Sequence, residues 1–370
     1  MFDKFRKGAN PAPASADQSS SGETMAANYH RYVYKKILFI IGCVVAAILV
    51  FAFAATYGSS NISIMDVYAT IWNHFFNEEA LDPYADWVIF TIRLPRICAG
   101  LIAGMSLGVA GAAMQSMMKN PLADPYTTGI SSGASFGATL AIGLGITVGG
   151  AGDAGLILTA FVFALIPAAV IILVSSLKHT SAATMILAGI AVMYLFNAAT
   201  TVIKLGLSDQ SLSAVFNWTV GDLSGTTWDD CKVMVIFTIV GTIILWALSK
   251  KLNILITGDK NAKALGLDAH KLRILLLILI SLMAASIVCF TGIIGFVGLV
   301  APHIVRIFLG SDNRYLIPAS AVFGAVLLMV ADLISRWIIA PTFLPVGVIT
   351  AFIGCPMFMY LLIKSKNSVW

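Results

Sequence analysis

The sequence predicts an all-α polytopic membrane protein, a bundle of ten transmembrane helices. Three observations carry that expectation. Apolar residues make up 59% of the 370 and charged residues 11%, against roughly 25% charged in an ordinary globular protein. Uncharged apolar runs of span length, about 20 residues, recur along the chain. Lys and Arg gather between alternate runs, as the positive-inside rule requires. A soluble fold cannot hide so much apolar surface behind so thin a charged skin. A soluble enzyme, a secreted disulfide scaffold and a disordered tail protein are excluded, and a net charge of +5 is too small to imply nucleic acid as a partner.

Residues 1–36 are rich in Pro, Ala and Ser and read as a disordered cytoplasmic tail; the helical domain then occupies 37–366. The first span, 37–57, contains Ala52-Phe53-Ala54, which imitates a signal-peptidase site. Its long leader and long apolar run favour a retained signal-anchor. The second span, 97–118, carries Gly100, Gly104 and Gly108, and the third, 126–152, carries Gly129, Gly133 and Gly137. Each set is a doubled G-x-x-x-G, a flat stripe that lets helices approach closely and suits the centre of a bundle. Between them Pro121 and Pro125 break the chain, and a re-entrant corner lined by polar backbone fits there. Runs 154–177, 180–203 and 233–249 supply spans four to six. The run 274–305 is too long for one span, and Gly292, Gly295, Gly298 and Pro302 break its second half. It therefore gives spans seven and eight, the latter reaching about Leu309; 315–331 and 337–363 are nine and ten.

Parity supports ten. Lys4, Arg6, Lys7, Arg31, Lys35 and Lys36 precede the first span, and Lys364 and Lys366 follow the last. Both termini are thus expected in the cytoplasm, which needs an even number of crossings. Ten crossings put 18 of the 23 Lys and Arg residues inside and 5 outside. The five are Arg93, Arg96, Lys204, Lys232 and Arg336, in external loops otherwise rich in acid, such as Asp66, Glu78, Glu79, Asp222 and Asp229. Arginines at helix ends either snorkel to headgroups or meet a partner's carboxylates, which they bind bidentately. Asp332 and Arg336 are four apart, share a helix face and are expected to pair rather than to relay protons.

Several motifs are decoys. Gly129-Ile130-Ser131-Ser132-Gly133 matches G-x-S-x-G, but a nucleophile elbow needs a strand before it, and here a membrane helix begins. H-E-x-x-H and the nucleotide-binding P-loop are absent from the sequence, as is the dipeptide Gly-Lys. Cys43, Cys98, Cys289 and Cys355 lie in apolar runs and Cys231 near a loop, with no C-x-x-C; they read as small hydrophobes, with no metal site. In the loop 251–273, Asp259 is placed to cap a short helix whose Ala262 and Leu265 face one way. Gly266 ends that helix, and a second short turn begins at Asp268. Such a loop is either a knob for another protein or a snorkelling surface helix.

Several segments together resemble the FecCD family of ABC importer permeases. They are Arg93-Leu94-Pro95-Arg96, the glycine helix with Gln115, Asn120-Pro121-Leu122-Ala123-Asp124-Pro125 with Gly129, and Gly295-Phe296-Val297-Gly298-Leu299-Val300-Ala301-Pro302-His303-Ile304-Val305-Arg306. Ala331-Asp332, Arg336, Pro345-Val346-Gly347 and Gly354-Cys355-Pro356-Met357-Phe358 belong to the same pattern, as does Gly258-Asp259 to Leu265-Gly266. The resemblance implies a bundle like the cobalamin importer's, in the cell (inner) membrane, that imports a metal chelate. A ferric siderophore comes first, with haem, cobalamin or an oxyanion as alternatives. The competing class is a secondary transporter driven by an ion gradient. The family resemblance also implies three protein partners: a cytoplasmic ABC ATPase subunit on the loop at Gly258, Asp259, Ala262, Leu265 and Gly266; an extracytoplasmic substrate-binding protein at Arg93, Arg96 and Arg336; and a second copy or a paralogous permease. The chain itself binds no cofactor and carries no catalytic residue on this reading. The path and gate fall at Gln115, Ser131, Ser132, Asn197, Thr180, Ser181 and Thr184, although Ala182 and Ala183 stand where the family often has hydroxyls. Asn120, Pro121, Pro302, His303 and Arg306 match its structural motifs.

Overall fold

The computed structural model describes residues 16–58, 62–76, 82–177, 182–339, 342 and 344–364, and these contain helices and no strand. In chain order the helices are α1 (Ala16–Thr56), α2 (Ile64–Phe75), α3 (Pro83–Trp87), α4 (Leu94–Met118), α5 (Ile130–Leu144), α6 (Asp153–Leu177), α7 (Ala182–Lys204) and α8 (Asp209–Val220). They continue as α9 (Trp228–Ala247), α10 (Ser249–Ile256), α11 (Asp259–Ala264), α12 (Ala269–Thr291), α13 (Val297–Leu309), α14 (Asn313–Trp337) and α15 (Val346–Lys364). A π-helical turn, Val88–Arg93, joins α3 to α4, and a 3-10 turn, Pro125–Thr128, precedes α5. Among the described residues 7 stretches are long and apolar enough to cross a membrane: those of α1, α4 with its α3 lead-in, α6, α7, α9, α12 and α14. Three shorter apolar helices, α5, α13 and α15, take the remaining expected positions.

Backbone-to-backbone contact holds the centre. A Cβ on Gly104 or Gly108 would run into the carbonyls of Gly324 and Ser320 on α14, and one on Gly111 into that of Gly298 at the start of α13. On the second stripe, Gly133 meets the Phe163 carbonyl and Gly137 that of Thr159, both on α6. The expected close approach is there, but each glycine helix uses it on a different neighbour. Around α4 the buried Met114, Met117, Leu276, Ile280, Leu316 and Ile317 form one apolar core.

The break in the run 274–305 falls where glycines permit it. Helix α12 stops at Thr291, Gly292 takes φ 66°, and α13 starts after Phe296 at φ 69°. Phe296 adopts a left-handed conformation that costs a non-glycine residue of order 1 kcal/mol or more. Gln115 donates from Nε2 to the Leu299 carbonyl at 3.1 Å, pinning this irregular start to α4.

Three boundaries differ from the sequence reading. Helix α1 begins at Ala16, inside the segment 1–36 read as a disordered tail; residues 1–15 lie outside the described ones. Once a span has met the cost of nucleation, Ala, Gln, Glu and Met extend the helix readily. The tenth run, 337–363, does not start at its first residue: α14 continues to Trp337 and α15 begins at Val346, after Pro345. The loops after spans one and five hold the helices α2 and α8, each capped by a serine accepting from the backbone three residues on, Ser63 from Asp66 and Ser208 from Ser211.

Candidate functional site

Two polar assemblies sit at opposite ends of α4. At its start, Arg93, Arg96 and Arg336 come together as the sequence suggested, but they turn inward, each 4% exposed. Asp332 serves two of them. Its Oδ1 accepts from Arg96 Nε at 2.8 Å and its Oδ2 lies 3.0 Å from Arg336 Nη2. Asp222 adds a looser contact, 3.8 Å from Arg96 Nη2. Arg93 Nη1 donates to the carbonyls of Ala55 and Thr56 at 3.1 and 3.3 Å, and Arg336 Nη1 to those of Ala54 and Tyr57 at 3.4 and 2.9 Å. The carbonyls of Ala54, Ala55 and Thr56 are the last of α1, without a partner within the helix and at the negative end of its dipole, and that of Tyr57 lies just beyond them. The expected Asp332–Arg336 pair is present. The carboxylate and carbonyls that these arginines meet in this structure belong to their own chain. Linear sequence could not place the end of α1 beside them.

At the other end of α4 lie two polar ties, one of Ser116, Asn313, Asn253 and Asp312 and one of Lys119, Asp259 and Arg273. Ser116 Oγ donates to Asn313 Oδ1 at 2.9 Å, and Asn313 donates from N and Nδ2 to Asn253 Oδ1 at 2.8 and 2.9 Å. Asn253 Nδ2 in turn donates to Asp312 Oδ1 at 2.7 Å. Burial pulls the Asp312 carboxyl up, but hydrogen bonds from Arg314 and Asn253 outweigh it and bring the value to about 2. Beside this tie, Lys119 Nζ reaches Asp259 Oδ1 at 3.1 Å and Arg273 Nη1 reaches Asp259 Oδ2 at 2.8 Å. The Arg273 guanidinium holds the Asp259 carboxyl well below the usual carboxylate range, with Lys119 assisting. Sequence reading found Asp259 and missed Ser116, Asn253, Arg273 and Asn313; only Ser116, an isolated polar residue in an apolar run, gave a signal, and the other three lie in polar loops.

Helix α11 departs from its expected form. Gly258, at φ 118°, is its N-cap, and Asp259 is its first residue and ties the loop to α4 and α12 instead of capping. Ala262 is buried while Leu265 is 68% exposed, so the two do not share a packed face. Gly266, at φ 75°, ends the turn. Asp268 then caps the long α12, accepting from the N–H groups of His270 and Lys271, rather than starting a short turn. A cavity of about 670 Å³ opens between α11 and the start of α12, lined by Asp259, Lys263, Gly266, His270 and Lys271.

The corner between α4 and α5 satisfies its own backbone. Lys119 takes φ 51°, Asn120 Oδ1 accepts from Leu122 N at 3.0 Å, and Asp124 Oδ1 accepts from Tyr126 N at 2.8 Å. Pro121 follows Asn120 in this turn and is half-buried. Pro302 lies inside α13 rather than at the break, with His303 and Arg306 buried on the same helix.

The expected path residues scatter. Gln115 is fully buried and committed to Leu299, Ser132 is buried and donates to the Gly129 carbonyl at 2.8 Å, and Ser131 is half-buried. Thr184 and Asn197 are exposed on α7. Thr180 and Ser181 lie outside the described residues. Among the described residues, no group of three or more His, Cys, Asp or Glu is placed to hold a metal ion.

The described residues form an all-helical bundle closed by backbone contact, with paired charges at both ends of its central helix and 7 stretches long and apolar enough to cross a membrane, which defines a protein of the membrane type. The chain belongs to the FecCD transport family, whose family model matches residues 39–364. It is a transmembrane ABC transporter permease, a class of chain that is not itself catalytic. A putative ABC transporter permease of Methanocaldococcus jannaschii is 42% identical over 92% of this chain and 98% of its own length. A cobalamin import system permease of Halobacterium salinarum is 40% identical over 75% of this chain and 74% of its own. An Fe(3+)-citrate import system permease of Bacillus subtilis is 35% identical over 87% and 95%. Among solved structures, a putative metal-chelate type ABC transporter in an inward-facing conformation is similar at TM-score 0.78 and 28% identity, covering 88% of this chain and 98% of that one.

Proposed function

We propose that this permease crosses the membrane ten times, with both termini in the cytoplasm, and imports a metal chelate, a ferric siderophore, using ATP hydrolysed on a separate ATPase subunit. The single observation that carries the coupling is the loop around α11, exposed at Leu265 and Lys263 yet ion-paired through Asp259 to α4 and α12. A push on that loop from the ATPase is delivered to the central helix without a flexible link. Gly258, Asp259, Ala262, Leu265 and Gly266 form the coupling element, and the tie Ser116–Asn313–Asn253 carries its movement into α4 and α14.

At the opposite end the extracytoplasmic binding protein docks above the arginine cluster. Arg93, Arg96 and Arg336 organise that surface from below, by fixing α1, α4 and α14 to one another. The path lies between two permease copies. The exposed Thr184 and Asn197 of α7 serve it, together with the face of α15 at Phe352 and Tyr360, while Gln115 holds α4 to α13 and Ser132 bonds within the first turn of α5. Rocking of the two bundles between outward and inward openings then moves cargo.

The test is uptake into proteoliposomes holding the permease, its ATPase and its binding protein, with iron-loaded siderophore and ATP inside or absent. Uptake that requires internal ATP is expected. Uptake driven by an ion gradient without ATP would replace this reading with a secondary transporter. ATP-dependent uptake of cobalamin or haem but not siderophore would overturn the cargo alone.

A further inference from the structure

Helix α2 is built inside out for a helix in water. Its buried face is Val67, Thr70 and Asn73, packed on the bundle, while Ile64, Met65, Tyr68, Trp72, Phe75 and Phe76 stand outward. Trp72 is 61% and Phe75 71% exposed. The outward residues recur at helical spacing and form one apolar, aromatic stripe, where a soluble protein would place charge. Neighbouring Tyr84 and Trp87 extend it, also exposed. The stripe is continuous with the outward apolar face of α1: Tyr68 Oη donates to the Ala52 carbonyl at 3.2 Å, beside the exposed Leu49 and Phe53. Ile41, Val45, Ile48 and Leu49 of α1 are exposed as well, an apolar face of the kind that meets lipid in a membrane protein.

We infer that α2 lies in the lipid–water interface at the arginine end of the bundle, its stripe sunk among headgroups and upper acyl chains. Tyr and Trp concentrate at that depth because their rings are apolar and their O–H and N–H edges reach water, and Phe adds apolar area to the stripe. Interfacial helices ordinarily turn a basic face to water; here the protein covers Thr70 and Asn73 of the polar face and leaves Asp66 and His74 exposed beside them. The helix therefore acts as a float, fixing the depth of the α1 end whose carbonyls Arg93 and Arg336 hold. The inference does not depend on the cargo, the ATPase or the side on which the termini lie.

Spin labels at Met65→Cys, Trp72→Cys and Phe76→Cys test it, with Cys43, Cys98, Cys231, Cys289 and Cys355 replaced by Ala and the protein in phosphatidylcholine–phosphatidylglycerol vesicles. Accessibility to dissolved oxygen relative to an aqueous nickel chelate is expected several-fold above that of a Lys263→Cys control. A ratio equal to the control overturns the inference. Labels that are water-accessible alone and protected only when the binding protein is added also overturn it, and make the stripe a protein docking face. A second readout needs no cysteine: brominated lipid should quench the parent's tryptophan fluorescence more than that of Trp72→Phe, and equal quenching counts against the float.

Discussion

Asp332→Asn tests the arginine cluster most directly. The substitution keeps the shape of the side chain and removes its charge. In the parent, one carboxylate pairs with two guanidiniums at 2.8 and 3.0 Å, the three side chains being 3%, 5% and 4% exposed. Breaking a buried pair by removing one partner costs about 3–5 kcal/mol, because the remaining charge stays buried without compensation. Asp332 serves two partners, which places the expected loss at the upper part of that range. Asp222→Asn is the internal control. Its carboxylate is 35% exposed and 3.8 Å from Arg96, so its loss should cost below about 1 kcal/mol. Both variants are compared with the parent by reversible unfolding in mixed micelles, and Arg96→Ala, Asp332→Ala and their combination close a double-mutant cycle. A coupling energy of about 1 kcal/mol or more is expected for residues in direct contact. If Asp332→Asn unfolds within about 1 kcal/mol of the parent and level with Asp222→Asn, the buried carboxylate is not what ties α4 to α14 and the reasoning fails.

Gly111→Val should prevent assembly of α4 against α13, since its Cβ would overlap the Gly298 carbonyl, whereas Gly42→Ala, with nothing within 4 Å, should leave the yield of folded protein unchanged or raise it. Asn313→Leu removes the hub between Ser116 and Asn253 and should cost about 1–3 kcal/mol in unfolding while lowering transport per ATP hydrolysed; unaltered transport stoichiometry would show that the tie is not in the coupling route. Asp259→Asn should loosen the loop without unfolding the bundle, seen as faster proteolysis between α10 and α12. The same bond predicts a pH dependence. Asp259 has a depressed folded pKa, so its contribution is fully present above the unfolded carboxylate value of about 4 and is lost as pH falls below that value through the folded one. Loop proteolysis should therefore be flat from pH 8 to about 5 and rise only in stronger acid, and a rise near neutrality would count against the tie.

Much of the arrangement is legible in the residues. The split after Thr291 follows from a run too long for one span and from glycines that allow φ above zero. The close helix contacts follow from the stripes at Gly104 and Gly108 and at Gly133 and Gly137. The helices α2 and α8 were legible too, through the serines at Ser63 and Ser208, but apolar run length is blind to helices that do not span. The partners of polar residues were not legible. Gln115, read as a path residue, is spent on a carbonyl 184 positions away, and Ser116 on an amide 197 positions away.

Sequence by itself determined that this chain is an all-helical membrane permease of the FecCD family, because hydropathy, charge placement and motif order are properties of the string. Tertiary structure decided which way the arginines turn. A guanidinium takes whatever carbonyl or carboxylate the fold brings near, and burying it without such a partner is costly. The orphan carbonyls at the end of α1 and the carboxylate of Asp332 reach Arg93, Arg96 and Arg336 only when three helices far apart in sequence pack side by side.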